Sequence, residues 1–425
     1  MDIFISRACG YTETAQHHHK DLHIVQIIHQ SRQYPRAFWL LLAGFFINRA
    51  SAALIWPFLT LVMRQRLEAP LAVITSLISI QAVAGLVSTS VVGVVMDHFG
   101  RKRAMLAGLI GGSAVLVAMS SAKELWQWAV LIALYGALVP IFMIGSNAMV
   151  ADLVAPEARV NAYALMRVVA NLGIAVGPAV GGFLLTISYT LSYHITAVIN
   201  LILAGLTLAL IAESLPQRAH EASSENRRGY GTLLRDRTFL RFCGVFTLVE
   251  LSAALVFVLL PVYTKENFAI PESQYGWLLT INAGMVVLLQ FAVTRFTRRC
   301  RPLPVLAAGA MFYALGLLAM ALSGGFAGFA AGMAVLTIGE LMVVPTAMAL
   351  VAALAPPDQR ARYMGVYALT YTVGSGIGPV IGGLLNDYIA PAAIWYGGAL
   401  VAAGAMVGFL LMERRAAARA AWVEI

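Results

Sequence analysis

Three ionisable residues stand inside long apolar stretches, where only function or careful pairing keeps them. Arg49 lies in FWLLLAGFFINRASAALIW, Glu250 in FTLVELSAALVFVLL and Glu340 in LTIGELMVVPT. A charge at the centre of a bilayer costs roughly 2.5–3.5 kcal/mol on insertion scales, and more against lipid. Each must therefore face a protein interior or a wet cavity. An acid in such a place can hold a proton or a cationic substrate, and a cation can stand in as its counter-ion. Arg49 and Glu250 are also equivalent positions of an internal repeat, 201 residues apart. The plainer alternative is a static ion pair, but buried pairs rarely add much net stability, so the functional reading is preferred. Glu340 is the second proton-site candidate, with a hydrogen bond inside its own half as the alternative. Arg167, near the end of its apolar run, is expected to snorkel to the interface or to pair with Asp152. Asn48, Trp56, Gln81, Asn147, Asn282, Gln290 and Tyr371 are the remaining polar cavity candidates, with Gln81 and Asn282 again 201 apart. Each equally suits a simple interhelical hydrogen bond, worth about 0.6 kcal/mol.

The elements that must position these residues are membrane spans. Of 425 residues, 60% are hydrophobic and 12% charged, against roughly 25% charged in a soluble domain. A net charge of +9 would suggest nucleic acid in a soluble protein. Here the basic residues cluster in loops between apolar runs, which excludes that reading. A spanning helix needs roughly 20 mainly apolar residues. Twelve runs qualify, at about 37–63, 71–97, 103–122, 125–150, 161–187, 193–212, 239–263, 274–295, 303–323, 325–350, 363–386 and 391–412. The polar stretch 213–238 separates six-span halves at 37–212 and 239–412, flanked by tails at 1–36 and 413–425. Of the 29 Lys and Arg residues, only Arg64, Arg66, Lys123 and Lys265 fall in loops of one side, and Arg49 and Arg167 within spans. That bias places both termini in the cytoplasm.

The N-terminal stretch is polar and has no apolar segment of a cleavable signal. His17 to His19 read as part of a polar tail rather than a metal site. Cys9, Cys243 and Cys300 show no metal spacing, and with Cys9 and Cys300 in segments assigned to the cytoplasm no structural disulfide is expected. No enzyme motif appears in context, and no cofactor or metal is expected.

The halves match at one common offset in three regions: NRASAALIW (48–56) with VELSAALVF (249–257), APEAR (155–159) with PPDQR (356–360), and GIAVGPAVGGFLL (173–185) with GSGIGPVIGGLLN (374–386). This is the mark of a duplication. Between the second and third runs the chain reads Gly93-x-x-x-Asp97-x-x-Gly100-Arg101-Lys102-Arg103. That stretch closely resembles the loop between helices 2 and 3 of the major facilitator superfamily. The resemblance covers about residues 37–412. It implies an all-α membrane protein of 12 transmembrane helices in two pseudo-symmetric six-helix bundles, with substrate bound between the halves near the midplane. It also implies that Asp97 meets the N-terminus of helix 11 when the cytoplasmic side closes, with Arg101 and Arg362 as nearby basic partners.

Gly173, Gly177, Pro178, Gly181 and Gly182 recur as Gly374, Gly378, Pro379, Gly382 and Gly383. Small residues four apart allow close helix packing, and a proline softens a helix. The pattern also resembles the helix 5 signature of the drug:proton antiporter branch. The expectation is a hinge and seal at which helix 5 slides against a helix of the other half. Departures are His98 at an often basic position and no cation in helix 4, which moves proton coupling onto Arg49 and Glu250; no PESPR follows helix 6 and no ExxER stands in helix 1, and these absences lower the sugar and peptide readings. The expected function is proton-coupled efflux of small, lipophilic or drug-like molecules by alternating access, from a monomer in the cell membrane, with protons, substrate and the lipid bilayer as partners and no nucleic acid. The alternatives are a uniporter or symporter of a small metabolite or a lipid or lysolipid flippase, and least of all a non-transporting receptor.

Overall fold

A computed structural model describes residues 34–155, 158–213, 233–356 and 359–423. Among the described residues, twelve helices are long and apolar enough to cross a membrane. They are α1 (Arg36–Leu67), α2 (Leu71–Phe99), α3 (Arg101–Ser121), α4 (Leu125–Leu153), α5 (Arg159–Ile187), α6 (Tyr189–Leu210), α7 (Arg237–Phe268), α8 (Glu272–Thr297), α9 (Pro302–Ala321), α10 (Phe326–Leu354), α11 (Arg360–Tyr388) and α12 (Ala393–Val423).

Local chemistry sets the ends. Pro57 cannot donate an amide hydrogen bond, and α1 tightens there into a single 3-10 turn, Trp56–Phe58. The Asp236 carboxylate caps α7 by accepting from the amides of Thr238 and Phe239 at 3.1 and 3.0 Å. Glu124 and Gln127 form a capping box on α4. Glu68 and Ala269, 201 residues apart, end α1 and α7 in the same left-handed conformation. The duplication thus survives in backbone geometry as well as in sequence. Gly100, between α2 and α3, has φ +98°, and a Cβ there would run into the Glu213 carboxylate. That carboxylate in turn accepts from the amides of Arg101 and Lys102 at the start of α3.

The helices form two six-helix bundles, α1–α6 and α7–α12. In the first, α1 packs on α5 and α6, α2 on α4, and α3 on α4 and α6; in the second, α7 packs on α11 and α12, α9 on α10 and α12, and α8 on α10. Two helix pairs, α5 with α8 and α2 with α11, carry most of the contact between bundles. The largest apolar core runs without a break from Phe58, Leu71 and Tyr193 of the first bundle into Tyr275, Leu278 and Trp395 of the second. A separate core around Phe38, Met105 and Phe142 fills the terminal end of the first bundle only. The bundles therefore merge toward the face opposite the termini and part toward the terminal face.

The predicted N-terminal tail (1–36) and linker (213–238) fall mainly outside the described residues. Cys243 is a free thiol. Cys300, in the short α8–α9 turn, is disulfide-bonded, which corrects the expectation of no disulfide.

Candidate functional site

The two intramembrane acids come together inside the second bundle. Glu250 on α7 and Glu340 on α10 lie within each other's electrostatic field. Asn282 of α8 donates to the Glu340 carboxylate at 2.8 Å and to the Thr337 hydroxyl at 2.9 Å. Thr337 donates back to the Met333 carbonyl of its own helix. Tyr313 and Tyr367 interact electrostatically with Glu250, and Tyr313 with Glu340 as well. The result is a pair of carboxylates in an aromatic setting: one oriented by an amide, the other with no hydrogen bond among the described residues. This arrangement suits the binding of a proton or a monovalent cation.

Arg49 is not joined to that pair. Among the described residues it forms no ion pair, so the expected Arg49–Glu250 pairing is absent from this arrangement. Its Nε is buried without a hydrogen-bond partner, and the guanidinium stands over the Phe45 ring at 5.7 Å. The reason is geometric. Helix α1 meets α7 through its last turns, beyond Trp56, and Arg49 lies where the bundles have begun to separate. Tyr371 of α11, 58% exposed, interacts electrostatically with both Arg49 and Glu250. It is the side chain that links the two repeat-related charges.

The other polar candidates disperse. Asn48 lines a water-sized cavity of about 20 Å³ with Tyr135 and Asn200, inside the first bundle, which removes it from the space between bundles. Asn147 is exposed, and its carbonyl accepts from Tyr163 at 2.9 Å. Gln81 has a buried Oε1 with no partner, while its repeat equivalent Asn282 is fully engaged. Gln290 donates to Thr294 and to the Leu341 carbonyl, an ordinary packing role. Trp56 is exposed on the 3-10 turn of α1.

The glycine stripes divide their work in a way the sequence expectation did not. A Cβ on Gly173 would meet Arg49 Cβ at 3.0 Å, and one on Gly374 would meet Glu250 Cβ at 2.6 Å. Gly177 and Gly181 press on Ala53 and Leu54 of α1, and Gly378 and Gly382 on Leu251, Leu255 and Leu259 of α7. These glycines all seat a charged helix of their own bundle. Only Gly182, against Glu272 and Ser273, and Gly383, against Ala72 and Thr75, touch the other bundle. The backbone at Pro178 also crosses, approaching Gly276 of α8. The surface that meets the other bundle is thus a second face of each helix, through Ala175, Pro178 and Gly182 on α5 and Gly376 and Gly383 on α11.

Across the seam on the face opposite the termini, Arg64 pairs with Glu266 at 2.9 Å. Glu272, 4% exposed, accepts from Tyr189 of the first bundle and from Lys265 at 3.0 Å. A cleft of about 490 Å³ lined by Gln65, Tyr189, Lys265 and Glu272 lies over this cluster. Asp387 at the end of α11 accepts from the Ala72 amide in the first turn of α2 at 2.8 Å, and Ser79 donates to the Gly376 carbonyl. Thr280 donates to the Ala175 carbonyl at 3.0 Å, and the Phe58 and Tyr275 rings meet edge to face at 5.4 Å.

On the terminal face the seam is open. Asp97 is exposed and forms no ion pair among the described residues, and a Cβ on Gly93 would meet nothing. The expected Asp97–Arg362 contact is therefore not made in this arrangement, because α2 and α11 diverge toward that face. Arg101 is committed within its own bundle, to Asp152 and to the Ala148 carbonyl. Of the two expectations for Arg167, the pairing with Asp152 is not made in this arrangement; Arg167 stands exposed on α5.

Sequence reasoning missed Tyr189, Glu272, Thr337, Tyr313, Tyr367 and Asp387. A signal existed for two of them. Glu272 replaces Leu71 of the first repeat, and Asp387 replaces Thr186, so each is an acid acquired on one side of the duplication.

The Major Facilitator Superfamily profile matches residues 41–266 and 242–421. An "Uncharacterized MFS-type transporter YqjV" of Bacillus subtilis is 26% identical over 354 residues, covering 82% of this chain and 86% of that protein. A "Na(+), Li(+), K(+)/H(+) antiporter" of Planococcus maritimus is 25% identical over 403 residues, covering 86% and 91%. "Multidrug resistance protein MdtH" of Cronobacter sakazakii is 25% identical over 296 residues, covering 69% and 73%. The crystal structure of nucleoside transporter NupG superposes with a TM-score of 0.74 at 14% identity, over 89% of this chain and 99% of that one. With twelve spans in two pseudo-symmetric bundles, a seam that closes on one face, and a profile that matches each half, this chain belongs to the Major Facilitator Superfamily and is a multi-pass secondary transporter of that type.

Proposed function

We propose that the protein exports small, lipophilic or drug-like molecules in exchange for protons, by alternating access between the two bundles, with both termini in the cytoplasm. The observation that carries this reading is the pair Glu250 and Glu340, two carboxylates sharing one field within the membrane. Two neighbouring acids that do not both ionise form a site that takes up and releases a proton as its surroundings change. On this reading the site opens to the parted, terminal side. Proton loss there leaves a carboxylate free to take a cationic or polar group of substrate. Rocking of the bundles then presents the site to the other face, where a new proton displaces the substrate. Arg49 on α1 lies across the opening, and Tyr371, on α11 of the acids' own bundle, interacts with both Arg49 and Glu250. One proton moving down ~100 mV and one pH unit supplies about 3.7 kcal/mol, enough for roughly a 500-fold gradient of a neutral substrate. The similarity to MdtH and to a cation/proton antiporter is in keeping with this reading.

A second reading rests on the Glu340 carboxylate and the Thr337 hydroxyl, two oxygens that take the Asn282 amide N–H groups here and would turn to a hard monovalent cation in their place. It makes the exported substrate an alkali ion. Both readings are tested in inside-out vesicles by following lipophilic-cation uptake and, separately, sodium or potassium uptake under an imposed pH gradient. Proton-driven accumulation of either that is lost in Glu250→Gln supports the proposal and chooses the substrate. Uptake indifferent to pH overturns it in favour of a uniporter.

A further inference from the structure

The seam between bundles holds one charge-to-backbone contact that the repeat does not duplicate. Asp387, at the last turn of α11, points one carboxylate oxygen at the first turn of α2 in the other bundle and accepts the Ala72 amide at 2.8 Å. Its second oxygen is fixed by the Asn386 side chain at 3.0 Å. Pro70 precedes α2 and no side chain of its own bundle caps that helix; the Pro70 carbonyl takes the Val73 and Ile74 amides, and the Ala72 amide depends on Asp387. Gly383, one turn earlier on α11, lets the backbones approach, since a Cβ there would meet Ala72 at 2.8 Å. The equivalent seam has the same glycine contact, Gly182 against Ser273. It lacks the acid: Thr186 stands at the position of Asp387 and turns its hydroxyl back to the Phe183 carbonyl.

We propose that Asp387 is the latch that holds the transporter closed on the face opposite its termini, acting as a positioning residue that caps α2 across the seam. Three things make it a latch rather than ordinary packing. The contact joins a charge to a helix N-terminus, where the macrodipole adds to the hydrogen bond. It crosses between the two moving bodies. And it lies at the closed end of a helix pair whose other end, at Asp97, is unlatched in the same arrangement. Opening of that face must break this contact and leave the Ala72 amide to water. The latch thus sets the ratio of the two open forms. The proposal rests on the alternating-access reading of the fold but not on proton coupling or on any substrate.

The test is a charge series at one position, read by distances between spin labels on the full-length protein in lipid nanodiscs without substrate. One label pair spans the seam opposite the termini, at Glu68 and Tyr388; the other spans the terminal face, at Phe99 and Phe296. All four positions are exposed. Asp387→Asn keeps the shape and an acceptor oxygen while removing the charge, and Asp387→Lys reverses the charge. The expected result is a lengthening of the first distance together with a shortening of the second. The ratio of the two forms should change by about tenfold for Asn and further for Lys. Wild-type distributions in both variants overturn the latch. Broadening of both pairs together also overturns it, because that is the signature of a loosened structure rather than a shifted equilibrium. Asp387→Asn is isosteric, so a failure of the lysine variant to fold leaves the test intact.

Discussion

Arg49 carries a buried Nε with no partner, and that separates two accounts of its presence. A charge held in a structural pair loses about 3–5 kcal/mol of stability when one member is removed. A charge kept for transport has no such support in this arrangement. Arg49→Met should therefore melt within a few degrees of wild type while transport falls below detection; a loss of about 10 °C or more would restore the structural account. Asn282 makes the opposite case. Its amide serves both Glu340 and Thr337, and hydrogen bonds to charged groups are worth about 1.5–3 kcal/mol. Asn282→Ala should cut turnover by at least tenfold, whereas Thr337→Val, which leaves the bond to Glu340 in place, should cost only a few-fold. Initial rates in proteoliposomes check both, and equal effects would deny Asn282 its orienting role. Arg49, Glu250 and Glu340 were legible from sequence because a charge in an apolar run is conspicuous. Asn282 stood out as the repeat equivalent of Gln81, but its partner did not, and Tyr313 and Tyr367 read as unremarkable aromatic residues until the helices are placed side by side.

At the scale of elements, the twelve spans and their duplication could be read from hydropathy and from the common offset of 201. The direction in which each glycine faces could have been read as well. Residues four apart share a helix face, so Gly173, Gly177 and Gly181 must address one neighbour, and Gly182, about 100° further round, another. What the sequence does not encode locally is which helix that neighbour is: α1 for the first three and α8 for the fourth. The bend at Trp56–Phe58 is written in Pro57, but its use, turning the end of α1 onto α7, depends on docking. Close approach predicts a sharp contrast between substitutions. Gly181→Ala drives a methyl into the Leu54 backbone and should lower the melting temperature by several degrees and reduce expression. Gly244→Ala on α7 meets nothing within 4 Å and should be neutral or stabilising by up to about 1 kcal/mol. Comparable melting of the two variants would contradict the packing described.

For the whole molecule, the seam explains why gate residues were harder to place than the helices that carry them. Asp97 and Arg362 sit on helices that diverge in this arrangement, while Tyr189, Glu272 and Asp387, silent in the sequence, bind the face that is closed. Contacts between two moving bodies belong to one state of a cycle, and a linear motif does not record which state. Removing a closed-face contact should favour the other state: Glu272→Gln, which weakens the links to Lys265 and Tyr189, should raise labelling of a cysteine placed at Gln65 in the overlying cleft by several-fold. Unchanged labelling would show that the cluster does not hold the seam.

On the proposed mechanism, a proton and the substrate compete for the carboxylate pair inside the second bundle. The most direct measurement is proton release from the purified protein, in weakly buffered detergent solution, as a panel of lipophilic cations and alkali salts is added to wild type, Glu250→Gln and Glu340→Gln. Release of about one proton per bound substrate by the wild type, abolished in Glu250→Gln, is the predicted result. Saturable binding with no proton released would contradict the claim, and Glu250 and Glu340 would then be a fixed polar lining of a carrier driven by the substrate gradient alone.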